Sequence, residues 1–143
     1  MSTYLTIDDL RGKIPDPFLT EALDDNADGV IEAADLVIAQ ASMAVEALLA
    51  GRYQFPLPEG EAVPQIVTYG ALILACEACY NRRGFKGDAN PYAVEAAALR
   101  DQLRAIGEGR IPLAPTIQRA EPSGSLIGER SRVVSRSRFS SLP

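Results

Sequence analysis

The residues best suited to do chemistry in this 143-residue chain lie in one stretch, Leu23 to Leu36, LDDNADGVIEAADL. Asp24, Asn26 and Asp28 alternate, Gly29 follows, and Glu32 and Asp35 close the window. With the carbonyl of Val30, these residues occupy the oxygen-ligand positions of an EF-hand calcium loop; Gly29 stands at the sharp turn and Ile31 at the inward-packing position. The last ligand position holds Asp35 where Glu is usual. A side chain one methylene shorter makes bidentate capture harder, which weakens calcium and leaves magnesium or no ion at all. The same residues also suit an Asx-rich turn that caps the following helix through Asp28 or Glu32 without any metal. Both readings stand on sequence grounds. Neither requires a cofactor, and calcium or magnesium at residues 24–35 is the candidate ion.

Other chemistry is poorly provided for. Cys76 and Cys79 are the two cysteines, and there is no histidine. A zinc site wants about four ligands, and a redox dithiol would sit at a helix start rather than late in an apolar helix. The pair is expected to be two small core residues. No histidine offers a base near neutral pH. No Gly-rich phosphate loop follows a strand, and no serine sits in a nucleophile elbow. The expectation is a protein that is not an enzyme.

The elements that must hold the loop are helical. Thr6 and Asp9 form a capping-box pattern before a short helix over about Thr6 to Lys13. Pro15-Asp16-Pro17 breaks the chain, with Asp16 as cap and Pro17 opening a second short helix to Leu23. A long helix is expected from Glu32 to Gly51, with one stripe at Leu36, Gln40, Met43 and Ala47 and another at Val37, Ala41, Ala44 and Leu48. QFPLPEGEAVP then crosses in extended form. A second long helix, about Pro64 to Arg83, is apolar nearly all round and should be the most buried. Pro64, Gln65 and Glu77 argue against a membrane span there. After a loop, GFKGDANP, the third long helix starts behind an Asn90 cap with Pro91 first. Its stripe is Tyr92, Ala96, Leu99, Leu103 and Ile106, and Gly107 and Gly109 end it. The fold class expected is all-α: two short and three long helices over residues 1–109, followed by an extended tail over 110–143. The first twenty residues hold three Asp and no apolar signal core, and two cysteines make no disulfide framework, so a cytosolic protein is expected.

Charge divides the chain in the same way. Residues 1–109 hold 8 basic and 17 acidic residues, a net −9; residues 110–143 hold 6 Arg and 2 Glu, a net +4. The second part, rich in Ser and Pro, cannot bury a core of its own. Yet Ile117, Arg119, Leu126, Ile127, Arg130, Arg132, Val133, Val134, Arg136, Arg138 and Phe139 combine cations with apolar anchors, which suits binding to another protein surface. The partner is either nucleic acid or the acidic body of a neighbouring copy.

TIDDL, DDNADGVIEAA and above all LLAGRYQFPLP resemble a family of proteins encoded beside the capsid genes of Mu-type tailed phages. The resemblance runs through Tyr4, Asp9-Leu10, Asp24, Asp28-Gly29, Ile31, Ala41-Ser42, Leu49-Ala50-Gly51-Arg52-Tyr53, Pro56-Leu57, Pro64, Tyr80, Arg82, Leu99, Ile106 and Gly109. The C-terminal RVVSRSRFSSL is similar to the Arg- and Phe-containing ends of these proteins, though longer and richer in serine.

The resemblance implies a head-completion or head–tail connector protein of the virion neck, assembled in the host cytoplasm. It would form a twelve-fold ring and contact neighbouring copies, the portal protein and the tail or tail-terminator proteins. Packaged DNA would pass without specific binding, and no membrane is involved. Arg52 and Tyr53 are expected to fix the proline-rich crossing, Arg52 against a carboxylate. The alternative is a calcium-responsive protein with a single EF-hand-like loop.

Overall fold

A computed structural model of the chain describes residues 3–55 and 63–113. The described residues form five α-helices and no strand: α1 (Ile7–Arg11), α2 (Asp16–Leu23), α3 (Ala34–Leu49), α4 (Gln65–Arg82) and α5 (Ala93–Gly107), with a 3-10 turn at Gly87–Ala89 before α5. The all-α class and the division into two short and three long helices agree with the sequence.

The three long helices pack pairwise around one core, and α1 and α2 cover α4. Leu10, Leu23, Val45, Leu49, Val67, Ile73, Cys76 and Leu103 are among its sealed side chains. As expected, α4 is the most enclosed helix. Gly70 lets Leu103 of α5 close onto it: a Cβ there would stand 3.1 Å from the Leu103 side chain. Cys76 and Cys79 are buried free thiols. Desolvation pushes them up to about 12 and about 11, as befits core residues.

Local signals fix several helix ends. Thr6 and Asp9 form the reciprocal capping box of α1. At α4, Gly84 takes a left-handed conformation while the Phe85 and Gly84 N–H groups donate to the Tyr80 and Asn81 carbonyls. That is a Schellman stop, with Phe85 and Tyr80 making its apolar contact. The end of α5 repeats it: Gly109 is left-handed, and the Arg110 and Gly109 N–H groups donate to Ala105 and Ile106.

Three expectations need correction. Asp16 does not cap α2; Pro15 holds the cap position, and the Asp16 carboxylate pairs with Arg11 at 3.2 Å. Helix α5 begins at Ala93 rather than Pro91. Asn90 still directs the entry, because its Oδ1 accepts the Tyr92 N–H while its Nδ2 donates to the Glu77 carbonyl and Asn81; this leaves Pro91 and Tyr92 in a turn. Most consequential is α3. Val37 and Ala41 of the second expected stripe belong to its buried row, Ala34, Val37, Ile38, Ala41, Ser42, Val45 and Leu49, whereas the first stripe, Leu36, Gln40, Met43 and Ala47, faces solvent, as does Ala44. In a helix this rich in apolar residues the periodicity does not choose between rows; the choice is made by α4 and α5, which both pack on one side.

The tightest approach joins the C-terminal ends of α3 and α5. A Cβ built on Gly107 would overlap the Leu48 carbonyl oxygen and stand 3.4 Å from Leu49 Cα. Both obstacles are backbone, so neither helix can yield by turning a side chain. Gly107→Ala is therefore expected to destabilise the protein by about 2–3 kcal/mol, the upper part of the range for overpacking, measured by chemical denaturation.

Candidate functional site

Two places carry the residues singled out from sequence. The first is the loop between α2 and α3. Asp24 organises it: its Oδ1 accepts the Asn26 N–H at 3.2 Å and the Asp28 N–H at 3.3 Å, and its Oδ2 accepts the Gly29 N–H at 2.7 Å. Donation from the Gly29 amide, above all, holds the Asp24 carboxyl below its usual range. Asp28 Oδ1 accepts the Val30 N–H at 2.9 Å. Glu32 folds back to accept from the Asp25 N–H at 3.1 Å and from Asn26 Nδ2 at 2.8 Å. Ala27 and Gly29 have positive φ, 59° and 85°, which gives the compact turn.

Carboxylate oxygens of Asp24, Asp28 and Glu32 lie within 4.8 Å of one another, so three of the sequence-proposed ligands converge on one point a hard cation would fit. Asp35 does not join them; it lies in the first turn of α3, exposed. The hydrogen bonds among Asp24, Asp28, Glu32 and the backbone also meet the description of a self-capped Asx turn. The loop is anchored to the C-terminal end of α4: Arg82 Nε donates to the Ala22 carbonyl at 2.8 Å and its guanidinium pairs with Asp25, while Arg83 pairs with Glu21. Arg82 had no role assigned beyond the resemblance, because an ion pair between residues 25 and 82 has no local sequence signal.

The second place is the end of α3. Tyr53 is fully buried, and its hydroxyl oxygen accepts the Leu113 N–H at 3.1 Å. Arg52 makes no ion pair among the described residues, and the carboxylates of the crossing, Glu59 and Glu61, lie outside them. Its guanidinium lies over Gly109, where a Cβ would come within 2.9 Å of Cζ. The motif LAGRY thus meets AIGEG: Leu48 touches Gly107, Arg52 covers Gly109, and Tyr53 holds Leu113. Packing continues past Arg110, whose guanidinium pairs with Glu108 at 2.7 Å, to the half-buried Leu113. The chain beyond therefore departs from a fixed point on the body. The proposed partner-binding residues Ile117, Arg119, Leu126, Ile127, Arg130, Arg132, Val133, Val134, Arg136, Arg138 and Phe139 lie outside the described residues, as do Pro56 and Leu57 of the crossing.

A cleft of about 330 Å³ between the N-terminal arm and α4 is lined by Tyr4, Leu5, Asp9, Gln65, Thr68, Tyr69 and Leu72. Asp9 is engaged in the α1 cap, and the Tyr69 hydroxyl donates to Glu95, which raises its pKa. No helix among the described residues is long and apolar enough to cross a membrane.

Comparison with known proteins gives one family: the model described as Bacteriophage Mu, Gp36 matches residues 4–127. No curated protein matches the chain.

The loop geometry makes a prediction that separates its internal hydrogen bonds from any bound ion. Asp24→Ala should lower the melting temperature by several degrees in a chelating buffer, because three backbone N–H groups lose their acceptor. The folded-state pKa of Asp24 lies below its ordinary carboxylate value, chiefly because the Gly29 N–H donates to it. Its contribution is thus present above the unfolded pKa and lost as pH falls through the lower folded pKa. Wild type and variant should converge in stability in strong acid, as followed by calorimetry across pH.

Proposed function

Because the chain belongs to the bacteriophage Mu Gp36 family over residues 4–127, we propose that it is a structural head–tail connector of a tailed-phage virion. In this reading it forms a ring between portal and tail and uses residues 110–143 to bind the portal or neighbouring copies. The observation that carries the reading is family membership across the helical body and the first part of the basic segment.

The physical features support such a role. A head-to-tail ring needs two different surfaces on each copy, one presented and one received. This chain separates an acidic body, net −9 over residues 1–109, from a basic segment, net +4 over 110–143. The Tyr53–Leu113 bond gives that segment a defined point of departure. An acidic body repels the phosphate backbone, so DNA could pass along a ring of such bodies without adhering. The work is binding rather than catalysis, and it is done in the virion neck after assembly in the host cytoplasm. The converged carboxylates of Asp24, Asp28 and Glu32 favour, as a second role, an ion that stiffens the α2–α3 junction.

Phage assembled with a chain ending at Leu113 should yield heads that fail to join tails, or that lose their genome, with the helical body still folded by circular dichroism. Tailed, infectious particles at the wild-type yield would overturn the connector reading. A calcium-responsive protein would instead show metal-dependent exposure of apolar surface, measurable with a fluorescent hydrophobic dye during calcium titration.

A further inference from the structure

The outer face of α3 has no partner within the described body. Leu36 and Met43 are 54% and 42% exposed, and Gln40, Ala44 and Ala47 lie exposed with them at helical spacing. No charge interrupts this row over three turns, although an exposed helix face usually carries charged residues. Asp35 and Glu32 stand at its head. Neither makes an ion pair among the described residues, whereas most of the body's arginines are already paired: Arg11, Arg82, Arg83, Arg100 and Arg104 with carboxylates of the body and Arg110 with Glu108. The body therefore has few free cations to offer a neighbour's acidic surface.

The cations available are in the C-terminal segment. Residues 130–139, RSRVVSRSRF, interleave four arginines with Val133, Val134 and Phe139. That composition matches an apolar row with carboxylates at one end: aliphatic and aromatic anchors for Leu36 and Met43, guanidinium groups for Asp35 and Glu32. We propose that the outer face of α3 is the docking surface for residues 130–139 of a neighbouring copy. Reach permits it. The segment departs from Leu113 at the C-terminal end of α3, and 17 residues can span up to about 56 Å, against a helix about 24 Å long. The neighbouring copy, rather than the chain's own segment, is the occupant because a closed ring requires each subunit to present one surface and receive another. The inference thus rests on the connector reading and assigns a receiving surface within it.

The test uses the full chain carrying distinguishable tags. One population bears Met43→Cys, the other Phe139→Cys, and they are mixed at high concentration with a short thiol cross-linker; the native thiols of Cys76 and Cys79 are buried. The expected result is a cross-link between the two populations that grows with concentration. It should fall about tenfold when Arg132, Arg136 and Arg138 are replaced by Glu, the scale of a few exposed ion pairs. A control cysteine at Val94, 81% exposed on α5, should give little product. Equal yields at positions 43 and 94 would overturn the proposal, as would a cross-link confined to single chains carrying both substitutions. The connector reading fails separately, through the particle assay with the chain ending at Leu113. If that truncation blocks tail joining while Leu36→Ser/Met43→Ser particles are normal, the α3 dock is wrong and the connector stands.

Discussion

The contact between the C-terminal ends of α3 and α5 constrains everything downstream of it. At Gly107 the α5 backbone meets the Leu48 carbonyl with no room for a side chain. Two residues later Gly109 turns the chain in a left-handed conformation, under the Arg52 guanidinium, and at Leu113 the backbone is caught by the buried Tyr53 hydroxyl. Close backbone approach, a Schellman stop and one partly buried hydrogen bond follow one another within seven residues. Each would cost free energy if left alone: a helix end exposes unsatisfied carbonyls, and a buried phenol needs a polar partner. Together they satisfy one another and set where the basic segment begins.

The opposite end of α3 has a different logic. There the chain gathers carboxylates, and the structure meets their repulsion locally, with backbone N–H groups at Asp24 and Asp28 and with the Asn26 side chain at Glu32. One carboxylate of the loop, Asp25, is neutralised by Arg82 from the end of α4. The loop is thereby tied to the core through two helices while most of its charge stays exposed. Such a division, between a body that keeps its shape and exposed charged surfaces, suits the connector role proposed above. Helix α3 joins the two ends: its inner row packs on α4 and α5, and its outer row is exposed.

Much of this was legible in the sequence where the signal is local. Thr6 and Asp9, Gly84 and Gly109 mark helix ends through capping chemistry that needs no tertiary information. The apolar girth of α4 announced its burial. The reading went astray where a tertiary choice intervened. Leu36 and Met43 satisfy a helical period as well as Val37 and Val45 do, and only the positions of α4 and α5 decide between the rows. Asp16 has the chemistry of a cap, but Arg11 takes its carboxylate. Tyr53 at the end of a long helix reads as a structural residue that fixes the crossing, while its hydrogen-bond partner Leu113, sixty residues away, has no signal in the spacing. For Arg52 the carboxylates of the crossing lie outside the described residues, and its visible neighbour is Gly109, a glycine that leaves space for the guanidinium. The loop divides similarly: alternation of Asp24, Asn26 and Asp28 foretold a tight turn, while the separation of Asp35 from the other carboxylates depends on where α3 begins.

The last of the contacts at the α3–α5 end before the C-terminal segment is the hydrogen bond from the Leu113 N–H to the Tyr53 hydroxyl, and amide hydrogen exchange at Leu113 reads that bond directly. The Leu113 amide should be protected in the intact protein. In Tyr53→Phe its exchange should accelerate about five- to tenfold, the worth of one hydrogen bond of about 1 kcal/mol, while amides in the middle of α5 stay unchanged. An unprotected Leu113 amide in the wild-type protein, or equal protection in both proteins, would contradict that anchoring.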